Sequence, residues 1–86
     1  MKYRQKPVVI DAIQWTGDRM ELKKFFGDFN DWYLGQGFAS DIVFIKTLNG
    51  IENIILNEWI IKNEIIEFYS CKPDIFEILY EKVEGD

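Results

Sequence analysis

Glu58-Trp59-Ile60-Ile61-Lys62-Asn63-Glu64-Ile65-Ile66-Glu67-Phe68-Tyr69-Ser70-Cys71-Lys72-Pro73-Asp74-Ile75-Phe76-Glu77-Ile78-Leu79-Tyr80 is the stretch that decides how this chain folds. Two apolar runs, 59–61 and 65–69, flank the polar Lys62-Asn63-Glu64. Asn tolerates the left-handed backbone that a tight turn needs, so the pattern predicts a hairpin with strands near 59–62 and 65–70. Pro73 has no amide proton to give to a sheet, so the second strand ends before it. Phe76, Ile78 and Tyr80 alternate with Glu77 and Glu81, which predicts one last half-buried strand. No catalytic group stands out in this third of the chain.

Upstream, residues 42–48 and 51–56 read as two strands joined at Asn49-Gly50, the strongest short hairpin signal present. Asn57-Glu58 is the next turn. At the other end, Pro7 opens a strand near 8–15 that is apolar on both faces and rich in β-branched residues, as a central strand is. Thr16-Gly17-Asp18 breaks it. Asp18 with Glu21 three residues on reads as a capping box, and Leu22, Phe25, Phe26 and Phe29 follow helical spacing. A helix near 19–26 closed by Gly27 is expected, then a second short turn capped by Asp28 that carries Asp31, Trp32 and Tyr33. Residues 34–40, with Gly35, Gly37 and Ser40, read as a flexible loop. Gly35-Gln36-Gly37 lacks the strand–turn–helix context of a dinucleotide fingerprint. The expected class is α+β: one early helix packed on a curled, mostly antiparallel sheet of five to six strands, in a single domain of 86 residues. The expected core is Ile10, Ile13, Phe25, Ile45, Ile55, Ile61, Phe68 and Phe76.

Hydrophobic residues make up 48% of the chain, enough to fold without metal or disulfide staples. The single Cys71 excludes an internal disulfide, as expected in a reducing cytoplasm. Met1-Lys2-Tyr3-Arg4 leads into a short apolar run broken by Asp11, so neither a signal peptide nor a membrane span is expected. Net charge is −5. Residues 1–24 hold six cations against three carboxylates, and the rest holds four against twelve, a balance of −8. That acidic body opposes direct nucleic-acid binding. The basic N-terminal arm suits a small anion, or is ordinary surface charge.

There is no His, which removes the usual general base, the Ser-His and Cys-His pairs and most zinc sites. Cys71 sits beside Lys72, which lowers a thiol pKa, but it also ends an apolar strand, where a free Cys is filler. Glu64 with Glu67, and Asp74 with Glu77, are near in sequence without a pocket to give them chemistry. No catalytic residue, metal or cofactor is expected, and the protein reads as a non-enzyme. Rings with cations are better represented. Tyr3, Arg4 and Lys6 with Trp15 form one candidate ligand set, and Trp59, Lys62, Tyr69 and Lys72 another. Aromatic faces stack on planar bases, while Lys and Arg meet phosphates. The competing view makes Trp15 and Trp59 core anchors. Phe25, Phe29, Trp32 and Tyr33 likewise suit either a ligand site or core packing.

Lys72-Pro73-Asp74-Ile75-Phe76-Glu77 with Tyr80-Glu81, Glu58-Trp59-Ile60-Ile61 and Glu67-Phe68-Tyr69-Ser70-Cys71 resemble the C-terminal signature of a family of small bacteriophage and prophage proteins. That family runs Gly-Asp-(Trp/Tyr)-Ile-Ile, Gly-Glu-(Phe/Tyr)-Tyr, Cys-Lys-Pro-Asp-Ile-Phe-Glu and Tyr-Glu, a Pro-Gly-Asp-Tyr-Gly-like domain. Lys2-Tyr3-Arg4-Gln5-Lys6-Pro7-Val8-Val9-Ile10, Ala12 and Gln14-Trp15-Thr16-Gly17 are similar to its N-terminus. The chain departs at the glycines: Asn57-Glu58 stands for Gly-Asp, and Ile66 for the Gly before Glu67. The resemblance implies a phage protein in the cytoplasm of an infected bacterial host. Joined to the ring-and-cation inventory, it predicts a counter-defence sponge that sequesters a small anionic, nucleotide-like host signal. The alternatives are an acidic inhibitor that mimics nucleic acid toward a host defence protein, and a virion or assembly accessory protein. Because an antiparallel sheet of this size leaves an edge open, a homo-oligomer is also expected.

Overall fold

The computed structural model describes residues 1–3, 10–63, 65 and 67–82. Helix α1 spans Arg19–Phe26. The Asp18 carboxylate accepts from the Met20 and Glu21 amides at 3.1 and 3.2 Å, satisfying donors that the first turn leaves free. Gly27, at φ +56°, closes the helix by donating its amide to the Lys23 carbonyl. Leu22 and Phe26, four residues apart, lie on its buried face.

Strands β5 (Trp59–Lys62) and β6 (Phe68–Cys71) form the expected hairpin, but the second strand starts at Phe68 where 65 was expected, because Ile65 belongs to the turn. Its turn is organised by Asn63, whose side-chain oxygen accepts from the Ile65 and Glu67 amides. Strand β1 (Asp11–Gln14) pairs antiparallel with the far side of β5, giving the order β1-β5-β6. A second sheet orders β2 (Trp32–Leu34), β3 (Val43–Thr47) and β4 (Gly50–Ile54) side by side, again antiparallel. A short 3-10 turn, Gly37–Ala39, lies between β2 and β3. Gly35 must be glycine there, because a Cβ would collide with the Ala39 carbonyl. Helix α2 (Pro73–Leu79) ends the order.

The alternation of strands puts Ile60 and Phe68 of one sheet and Val43, Ile45 and Ile54 of the other inside. They enclose Trp15, Leu22 and Phe26, with Ile13, Phe25, Phe29, Trp32 and Leu34 around them. Phe68 meets Phe25, Phe26 and Phe29 at ring-centroid distances of 4.5–5.8 Å. Strands β4 and β6 lie alongside one another but belong to different sheets. The Glu52 carboxylate crosses this seam and accepts from the Ser70 amide and hydroxyl at 3.4 and 3.2 Å.

The α+β class holds, and four expectations change. Two three-stranded sheets replace one curled sheet of five to six strands, because the β4–β6 edges meet through a side chain, not a backbone ladder. The last predicted strand is helix α2: Pro73 takes the first helical position, where its missing amide proton costs nothing. The predicted short turn after Asp28 is instead strand β2, paired through Trp32 with Ile45. In the predicted core, Ile45, Ile61 and Phe68 are buried, whereas Ile10, Ile13, Phe25 and Phe76 are half-buried. Ile55 is exposed and Ile54 takes the buried place, since β4 starts at Gly50 and its inward register falls on 54. Residues 8 and 9 of the first predicted strand lie outside the described residues.

Candidate functional site

Sheet register sorts the predicted ligand residues. Trp59 pairs with Cys71 and Ile61 with Tyr69, so these four share one face of the β5–β6 ladder. Lys62, paired with Phe68, shares the opposite, core-facing side. Helix α2 packs over the first face: the Phe76 ring lies parallel to Trp59, centroids 3.9 Å apart, and Tyr80 packs against Phe76 at 4.9 Å. Lys72, exposed, directly precedes the helix. The fold therefore assembles Trp59, Phe76 and Tyr80 as one aromatic group, with Tyr69 on the same face and Lys72 at its border.

Trp15 lies elsewhere. Only 2% of it is exposed, and its indole N–H donates to the Asp41 carbonyl at 2.6 Å, so both ring faces belong to the core. Tyr3 is 89% exposed, and its hydroxyl donates to the Met1 sulfur at 3.5 Å. Arg4 and Lys6 lie outside the described residues. Phe25, Phe29 and Trp32 pack in or against the core, while Tyr33 faces outward and stacks on Phe44 at 5.0 Å.

Burial first, then the neighbouring Tyr80 hydroxyl, pushes the Tyr69 phenol above its ordinary 10.0. Burial, followed by the Asp74 and Glu58 carboxylates, raises the Cys71 thiol above 9.0. Lys72 does not reverse that effect. A thiol held protonated at neutral pH is a poor nucleophile, which fits filler better than chemistry.

Two adjoining clefts open between the β3–β4 turn and the β5–β6 turn, about 340 and 320 Å³ in volume. Asp31, Lys46 and Glu67 rim the first over Phe29 and Phe68. Glu52, Asn63, Glu67 and Tyr69 line the second. Apart from Tyr69 and Phe29, the lining residues were not among the expected ligand residues, because no local motif reveals that two hairpin tips separated in sequence meet. Among the described residues, no group of three or more Cys, Asp and Glu is placed to hold a metal ion. No described helix is long and apolar enough to cross a membrane. The chain matches no protein-family model, no curated protein and no solved structure.

Proposed function

We propose that the chain is a non-enzymatic, phage-encoded counter-defence protein that acts by binding, and that its partner is a basic surface on a host protein. The observation that carries this choice is the lining of the clefts: Asp31, Glu52 and Glu67 face them, and among the described residues Lys46 is the one cation on their walls. Carboxylates repel a phosphate-bearing ligand and attract a cationic surface. Asp28, Asp31, Asp41, Glu67, Asp74, Glu77 and Glu81 are exposed as well, so the acidic body presents its charge to solvent. No charged or polar residue is buried among the described ones, and tight capture of a polyanion rests on fixed, desolvated cations.

The nucleotide sponge remains a second reading, supported by the aromatic group of Trp59, Phe76 and Tyr80 beside Tyr69 and Lys72. It needs Arg4 or Lys6 to add the phosphate-binding charge. One experiment separates the two. A host carrying a defence system is challenged with phage while expressing the parent, Asp31→Lys with Glu67→Lys, or Arg4→Ala with Lys72→Ala. The protein-partner proposal expects loss of protection from the first pair and retention with the second. The reverse result replaces it with the sponge, and calorimetry against a nucleotide panel then identifies the ligand class. Glu52 is left untouched because it bridges the two sheets.

A further inference from the structure

We propose that the seam between β4 and β6 takes an extended, basic segment of a partner protein, which adds as a strand to the open edge of β6. This rests on the reading of a cationic protein partner and names how that partner is held. In the β5–β6 hairpin the Asn63 amide donates to the Glu67 carbonyl, and the ladder continues through the pairs Ile61–Tyr69 and Trp59–Cys71. Bonded and non-bonded pairs alternate along an antiparallel ladder. Phe68 and Ser70 therefore turn their backbone N–H and C=O groups away from β5, toward the side where β4 lies. On β3, the Lys46 amide donates to the Asp31 carbonyl beside β2, so Thr47–Gly50 and Ile45–Glu52 are the bonded pairs with β4. Ile51 and Asn53 then turn their own backbone groups toward β6. Two sheet edges face each other, and among the described residues no ladder joins them.

The Glu52 carboxylate fills the place of a strand carbonyl. It accepts from the Ser70 amide and hydroxyl at 3.4 and 3.2 Å. Both contacts are long for a charged acceptor, whose bonds usually measure about 2.7–2.9 Å. A main-chain carbonyl of an incoming strand makes a shorter bond to the Ser70 amide and displaces the carboxylate. Beside this contact the seam opens into the cleft of about 320 Å³, walled by Gly50, Ile51 and Glu52 from one edge and Glu67, Phe68 and Tyr69 from the other. Two carboxylates and no cation stand among its described lining residues. The side chain that reaches into it is therefore a Lys or Arg, and Glu52, released from Ser70, pairs with it. Main-chain bonds supply the affinity of such an added strand, and the side-chain pocket supplies its specificity.

The test uses the full chain with short synthetic peptides, followed by calorimetry and amide exchange. A peptide alternating Val and Lys should bind and should slow exchange of the Phe68 amide, which points out of the ladder. Its counterpart alternating Val and Glu should bind at least about tenfold more weakly. Methylating the backbone nitrogens of the central residues of the Val–Lys peptide keeps its charge and removes its donors. That change should weaken binding about tenfold or more. All three comparisons alter the peptide and leave the protein's fold untouched. If the methylated peptide binds as tightly as its parent, the cleft takes a cation without a strand; that overturns the proposal and leaves the cationic partner standing. No binding of the Val–Lys peptide at about 1 mM also overturns it, and the host challenge then decides the partner reading by itself. Equal binding of the Val–Glu peptide overturns the basic segment. Slowed exchange at Trp32 or Leu34, on the edge strand β2, with Phe68 unchanged, overturns the seam.

Discussion

Asn57 has φ +74°, a left-handed backbone that a side chain usually avoids. Its amide donates to the Trp15 carbonyl at 2.7 Å, and the Glu58 carboxylate accepts from the Ile55 amide at 2.9 Å. The pair that stands where the resembled phage family has Gly-Asp thus makes a turn and caps a strand end. Asn57→Gly should leave the melting temperature within a degree or two of the parent, whereas Asn57→Val should cost about 1–2 kcal/mol. Equal melting of the two variants would show that the conformation carries no strain. Cys71 and Tyr69 make a second prediction at this scale. Both become charged by losing a proton, and both hold it more tightly folded than unfolded. Their contribution to stability is whole below the ordinary values of 9.0 and 10.0 and is lost as pH rises through the folded values. The urea midpoint should fall between about pH 8 and about pH 11, and Cys71→Ser should remove the earlier part of the fall. A midpoint that climbs over this window would contradict the assignment.

Elements with strong local signals were readable before folding. Helix Arg19–Phe26 and strand Trp59–Lys62 keep their expected bounds, because a capping Asp and an apolar run bounded by a turn are statements about neighbours in sequence. Elements set by distant neighbours were not. Strand β2 is three residues long and exists because β3 lies beside it. Helix α2 was misread because Phe76, Ile78 and Tyr80 also fit a period of two, and only the docking of Phe76 on Trp59 decides between the periods. Two aromatic substitutions follow from this division. Phe68→Ala empties a site among three other rings and should cost about 3–5 kcal/mol, unfolding the whole chain cooperatively. Phe76→Ala removes a half-buried ring and its stack, and should loosen α2 while near-native sheet signals persist. Circular dichroism with amide exchange resolves the two cases. Loss of both sheets in Phe76→Ala would place α2 in the cooperative core.

At the scale of the molecule, the ring-and-cation inventory was visible in the sequence but its distribution over faces was not. Trp15 and Trp59 have the same chemistry; one is enclosed beside Asp41 and the other lies under a helix. The clefts arise where two hairpins meet, which no single segment encodes. The seam between the sheets carries a prediction of its own. Glu52→Ala should remove about 1 kcal/mol of stability and speed exchange of the Ser70 amide more than that of its neighbours. Unchanged exchange at Ser70 would mean that packing alone holds the seam. The placement of β1 reaches further, into how the chain is made. Residues 11–14 find their strand partners at 59–62, after α1 and the whole β2-β3-β4 sheet have been synthesised. Strand β1 therefore stays unpaired while the whole β2-β3-β4 sheet can already form. A nascent chain stalled before Trp59 carries that strand open, with its edge ready for a chaperone or for another chain.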